Sequence, residues 1–159
     1  MYVADGEPLP ATYEPVLRHV RAVAVGWLDP SHRYSVGSVD DEFVARLFEA
    51  CRAHATARTR GYHRCPFCPA DRDAGVGPTT VVRGRESVRV GDAEIRLVAK
   101  DGTWLVAPTL VLHYVTGHAY RPPSESSRPS RPTGLRPPDP GAARRAALGQ
   151  CSGMSLERC

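Results

Sequence analysis

The chain has 159 residues, 42 % apolar and 24 % charged, the proportions of one soluble globular domain with a core of its own. No stretch approaches the roughly 18 apolar residues of a membrane span, and the start, "MYVADGEPLPATYEP", has acids and no apolar run, so neither an anchor nor a secretory signal is expected. Basic and acidic residues balance up to Tyr120, so the net charge of +4 comes entirely from the arginines beyond it; apart from a local patch such as Arg58, Arg60 and Arg64, the composition argues against a nucleic-acid-binding domain, which carries its own basic face.

Residues 1–16 mix Pro, Gly and Glu without a period and read as an irregular lead-in. "VRAVAVGWL", Val20 to Leu28, is β-branched and apolar, as a strand is, and "DPSHRYSVGS" is a loop of turn residues. A helix follows. Ser38 is the expected cap, with Asp40, Asp41 and Glu42 at the positive end of the helix dipole. Phe43, Leu47, Cys51 and His54 fall on one face, with Phe48 and Ala50 beside them; Arg52, Arg58 and Arg60 load the far end, and Gly61 is the expected terminator.

"CPFC" and a Gly-rich loop, "ADRDAGVGP", come next. Residues 79–107 read as two hairpins. "TTVVR" and "ESVRV" alternate, "AEIRLVA" places Ile95, Leu97 and Ala99 on one face, and "TWLVA" returns. Gly91-Asp92 and Asp101-Gly102 are expected turns. Pro108 suits the first position of a last helix, in which Leu110, His113, Tyr114, Gly117 and His118 share the core side.

Beyond Arg121 the chain is rich in Pro, Arg and Ser and nearly free of large apolar residues, so residues 122–159 are expected to be a disordered tail. The single domain is bounded as residues 17–121.

The five cysteines are an odd number. Without a secretory signal the expected compartment is the cytoplasm, where paired cysteines bind metal or do redox chemistry more often than they form disulfides. Cys65 and Cys68, two residues apart, aim two thiolates at one point; His113 and His118 have a spacing that zinc sites use. Two residues five apart on an ideal helix differ by about 140° in direction, so a shared ion requires the last turn to loosen, for which Gly117 is available. Knuckle, hairpins and a ligand-bearing helix are the order of a treble-clef-like zinc site. The expected metal ligands are therefore Cys65, Cys68, His113 and His118, and the expected cofactor is Zn2+. His63 is a spare ligand that stands as an alternative to His118. The blander reading makes Cys65 and Cys68 plain thiols and the histidines core or surface groups. A redox Cys-x2-Cys normally opens a helix after a strand, which "CPFCPADRDAG" does not resemble. His19, His32 and His54 read as ordinary core or surface residues, Cys51 as a small buried apolar residue, and Cys151 and Cys159 have no evident partners.

The segments "VAVGWLDPSHRYSVGSVDDEFVARL", "RGYHRCPFC", "GDAEIRL" and "LVAPTLVLHYVTGHAYRPP" resemble a family of small uncharacterised proteins from GC-rich bacteria. The scarcity of Lys, Ile and Asn agrees with such a genome. The resemblance covers about residues 20–123. It implies one domain and the four ligands, and no reaction. In proteins of this type the last helix is followed by a short apolar segment, whereas here "HAYRPPSE" runs into "SSRPSRPTGLRPPDPG"; a reading-frame shift near codon 126 and a genuine disordered tail both account for that.

The expected fold class is α+β, a small domain with an N-terminal strand and helix, a zinc knuckle, two β-hairpins and a ligand-bearing C-terminal helix. A closed Cys2His2 site holds a fold and activates no water, so the expected function is a protein-interaction module and not an enzyme, with another protein as partner through Tyr120 and the hairpin tips. The alternatives are a metal-dependent hydrolase or nuclease, for which His63, Asp71, Asp73 and Glu94 are the available groups, and weak nucleic-acid binding through the tail arginines. Glu94 reads more simply as a strand charge or a partner of Arg96 or Arg83.

Overall fold

The structure, a computed structural model, describes residues 2–10, 20–68 and 78–123. The expectations for His19, Asp71, Asp73, Cys151, Cys159 and the tail beyond Pro123 concern residues outside these segments. The elements run β1 (Ala22–Ala24), α1 (Asp41–Ala53), β2 (Thr79–Arg83), β3 (Glu86–Val90), β4 (Glu94–Val98), β5 (Trp104–Pro108) and α2 (Leu110–His118). This is a small α+β domain, with both expected hairpins.

The hairpin β2–β3 pairs antiparallel from Thr79↔Val90 to Arg83↔Glu86 and turns at Gly84, whose φ of 60° suits a residue without Cβ. The hairpin β4–β5 pairs from Glu94↔Pro108 to Val98↔Trp104. Asp101 accepts from the Thr103 N–H and hydroxyl in its turn, as a short polar side chain there should. Strand β1 lies parallel to β5 on its other side, Val23 opposite Leu105. The N-terminal segment adds to this sheet: the Gly6 N–H donates to the Ala24 carbonyl and the Ala24 N–H to that of Glu7, with bridges Val3↔Trp27 and Pro8↔Val23. The start of the chain thus pairs with β1, which its lack of apolar periodicity did not suggest.

The two helices pack against each other and onto both hairpins. Phe43, Leu47, Phe48 and Cys51 of α1 meet Leu110, Val111, Leu112 and Tyr114 of α2 in one buried cluster with Val90, Ile95 and Leu105. The apolar face read from sequence is the buried face of α1, except for His54, which is exposed.

Several boundaries differ from expectation. The N-cap of α1 is Asp40, not Ser38; its Oδ1 accepts from the Phe43 N–H at 2.6 Å, an acceptor nearer the first turn than Ser38. The helix stops at Ala53, well before Gly61, because Thr56 leaves it to bridge Glu94 through two backbone hydrogen bonds. Pro108 closes β5 instead of opening α2. The N-cap of α2 is Thr109, whose hydroxyl is committed to the Ala93 carbonyl and to the Gly91 N–H and so caps nothing.

Candidate metal centre

The knuckle and the end of α2 come together on one side of the domain. The Cys68 Sγ lies 3.2 Å from His113 Nε2 and 3.4 Å from His118 Nε2. The Cys65 Sγ lies 3.2 Å from His118 Nε2, and the two Nε2 atoms are 3.2 Å apart. All four donor atoms fall within 4.8 Å of one another, close enough to hold one metal ion. With metal–nitrogen and metal–sulfur bonds of about 2.0 and 2.3 Å, a tetrahedral site needs N···N edges of about 3.3 Å and S···N edges of about 3.5 Å. The four edges given above are within a few tenths of an ångström of those figures. Two imidazole nitrogens and two thiol sulfurs packed this closely cannot all satisfy one another as donors and acceptors, whereas a cation at their centre accepts electron pairs from all four.

The angular offset between His113 and His118 is overcome in an unexpected way. Gly117 keeps ordinary helical backbone and does not unwind the turn; its φ is not positive. What it contributes is space. A Cβ at Gly117 would stand 3.2 Å from His113 Cε1, so the His113 ring leans over the glycine toward the helix end and reaches the His118 side. The loosening occurs one residue beyond His118. Ala119 adopts the left-handed conformation with φ 51°, and the Tyr120 N–H donates to the Tyr114 carbonyl at 3.0 Å, a Schellman-type end that aims His118 back at the knuckle.

Phe67, between the cysteines, fastens the knuckle to the core. Its ring meets Tyr114 and Tyr34 edge-on at centroid distances of 5.6 and 5.3 Å and contacts His118 at 5.5 Å. Tyr34 also donates to the His118 carbonyl. Cys65 is buried, while Cys68 and the two histidines are half-buried. Burial pushes the Cys65 thiol up to about 11, against the pull of the Phe67 and Cys68 backbone N–H groups that favour its thiolate. Burial also raises Tyr114, with the two cysteines adding to the effect.

All four expected ligands are therefore brought together. His63, the alternative to His118, is exposed and is not in the group; its backbone N–H is held by the Gly91 carbonyl. Glu94 is buried and bound to Arg96 at 2.6 Å, the expected ion pair but not a solvated one. Tyr120, expected as an exposed contact, is completely buried, and its hydroxyl donates to Asp5 Oδ2 at 2.8 Å. Its aromatic bulk beside "RPP" resembles a surface anchor in sequence, but the N-terminal segment that covers it is remote in the chain. Phe67 was not singled out as a support of the site, and Gly117 was expected to help by loosening the helix end, not by leaving space beneath His113. The signal was present, since Phe67 is the one large apolar residue of the knuckle and Gly117 stands four residues after His113.

Fold and site together define a small α+β domain with a Cys2His2 cluster able to hold a metal. The chain belongs to the family described as a domain of unknown function, DUF7919, whose family model matches residues 1–128. No curated protein and no solved structure matches it. Among the described residues, no helix is long and apolar enough to cross a membrane.

Proposed function

We propose that Cys65, Cys68, His113 and His118 hold one zinc ion in a closed structural site, and that the domain fixed by it acts in the cytoplasm as a module that binds another protein. The observation that carries this reading is the convergence of four protein donors within 4.8 Å of one another, four of their edges close to tetrahedral values; four protein ligands fill a tetrahedral zinc site without water. Two thiolates and two neutral imidazoles also cancel the charge of the ion and make it a poor Lewis acid. Among the described residues, the groups a hydrolase would need are not in the donor cluster: Glu94 is engaged by Arg96, and His63 is not one of the four grouped donors. Arg46, Arg52, Arg58, Arg83 and Arg96 each pair with a carboxylate, which speaks against a nucleic-acid face on the domain. The cysteines of the described residues are unpaired, in keeping with a reducing compartment. The hairpin β2–β3 offers the contact surface, with Val82 68 % exposed on its outer face.

Metal analysis tests the proposal. Purified, reduced protein should hold about one equivalent of zinc. The Cys65→Ser, Cys68→Ser double variant should lose both zinc and much of the fold, and His118→Ala should lose affinity and stability together. Cobalt substituted for zinc should give a tetrahedral spectrum that small anions leave unchanged. Full zinc occupancy in the double variant would overturn the assignment, and an anion-sensitive cobalt spectrum would return the site to catalysis.

A further inference from the structure

A cavity of about 460 Å³ lies behind the metal centre and shares with it Pro66 of the knuckle and Tyr114 of α2. None of the four metal ligands lines it. Its size falls within the range of about 300–1,000 Å³ typical of small-molecule sites. One side is the segment after β1, with Trp27; the other is the strap between α1 and the knuckle, tied to the turn before β4. The Thr59 N–H donates to the Asp92 carbonyl and the His63 N–H to the Gly91 carbonyl, so the strap is hydrogen-bonded along its length.

The wall is built from uncommon backbone. Gly26, Ala57 and Gly91 all line the cavity, and all have positive φ, 70°, 48° and 107°. A Cβ on Gly91 would meet the His63 carbonyl oxygen at 2.3 Å, and one on Gly26 would meet Val111 Cγ2 at 2.7 Å. Ala57 bears a Cβ in the left-handed region, a conformation strained for any residue but glycine. Strained backbone that converges on one hollow is held there by the surrounding structure.

The polar chemistry of the wall is uneven. Asp92 lines the cavity with its side chain 10 % exposed. Its Oδ2 accepts from Arg58 Nη1 at 2.8 Å, but its Oδ1 is buried and has no hydrogen-bond partner among the described residues. A buried carboxylate oxygen left without a donor is costly, the more so where the group is charged. Seating a donor from the hollow on this carboxylate therefore requires its broad torsion to turn, bringing the closed-off oxygen out and loosening the Arg58 contact. The unmet capacity is thus an acceptor, on a residue that lines the cavity together with Trp27, Leu110 and Tyr114 and with the polar His63 and Arg64.

We propose that this cavity binds a small molecule with a flat apolar body ending in a fork of N–H donors, an amidine or an amino-substituted heterocycle, with Asp92 receiving the donors and Trp27 and Tyr114 flanking the body. The site goes beyond the structural metal and does not depend on its identity.

Benzamidine is the probe, with benzoate, which has the same ring but presents only acceptors at neutral pH, as its opposite. The two tryptophans are Trp27 and Trp104, so Trp104→Phe leaves Trp27 as the reporter. On metal-loaded protein, benzamidine should change Trp27 emission saturably and benzoate should not. Asp92→Asn should weaken benzamidine at least tenfold. Ala93→Phe, which fills the cavity and keeps Asp92, should abolish binding while metal content and melting temperature hold. If Asp92→Asn does not fold, the probe comparison and Ala93→Phe decide. Benzoate bound as tightly as benzamidine, a titration that does not saturate, or binding undiminished in Ala93→Phe overturns the proposal; retained metal in those experiments leaves the zinc reading untouched.

Discussion

Replacing Gly117 by Ala separates what the helix prefers from what the metal site needs. Gly117 is exposed, in the last turn of α2, with helical backbone that any residue can adopt. On propensity alone the substitution should stabilise the helix by up to about 1 kcal/mol. The new Cβ, however, would lie 3.2 Å from His113 Cε1, so the imidazole has to retreat by a few tenths of an ångström. That is comparable to the tolerance of about 0.2 Å on a metal–ligand bond. Changes in the immediate support of a ligand typically reduce metal affinity 10- to 100-fold, or about 1.4–2.7 kcal/mol. The two effects should therefore have opposite signs. The assay is a competition titration of zinc against a chromophoric chelator, paired with helix content by circular dichroism in the presence and absence of zinc. The variant should bind zinc at least tenfold more weakly while its metal-free helix content is unchanged or higher. Unchanged zinc affinity would refute the placement of His113 over Gly117, and with it the way the two histidines are brought together.

Three further outcomes follow from the packing. Tyr120→Phe removes the hydroxyl that donates to Asp5 and ties the N-terminal segment to α2; urea unfolding should show a loss of about 1.5–3 kcal/mol, the usual worth of a hydrogen bond to a charged group. Burial pushes Cys51 up to about 12 and raises Tyr120, with Asp5 adding to the latter, so both stay neutral in the folded chain after the unfolded chain has begun to ionise. Their contribution is complete below the ordinary thiol and phenol values and is lost as pH rises past about 9–10, at about 1.4 kcal/mol per pH unit for each group; unfolding curves between neutral and strongly alkaline pH should show that slope, shallower in Tyr120→Phe. Deleting residues 124–159 should leave the melting temperature nearly unchanged, as the composition of that segment and the end of the family match at residue 128 both suggest; a large drop would show that the tail packs on the domain.

The hairpins and the buried face of α1 were legible because they rest on local periodicity and turn chemistry. Ile95 alternates with polar neighbours, and Phe43, Leu47 and Cys51 recur at helical spacing. The four candidate donors, which the fold does bring together, were legible for another reason: thiols and imidazoles at those spacings suit a metal ion. What escaped depends on residues far apart in the chain. Whether α1 continues to Gly61 is decided by Glu94, which draws Thr56 away into a bridge. Whether Tyr120 is exposed is decided by Asp5 at the other end of the domain. Gly117 was read for backbone freedom, its commonest use, when its part is the absence of a side chain beneath His113. The cavity behind the knuckle had no sequence signature, because it is assembled from three left-handed backbone positions in separate segments.

X-ray absorption at the zinc edge of metal-loaded protein tests the central claim most directly. The account predicts one zinc per chain with two sulfur neighbours at about 2.3 Å and two imidazole nitrogens at about 2.0 Å, four-coordinate and without water. A first shell lacking sulfur, or a fifth or solvent ligand in place of an imidazole, would contradict a closed site made of Cys65, Cys68, His113 and His118.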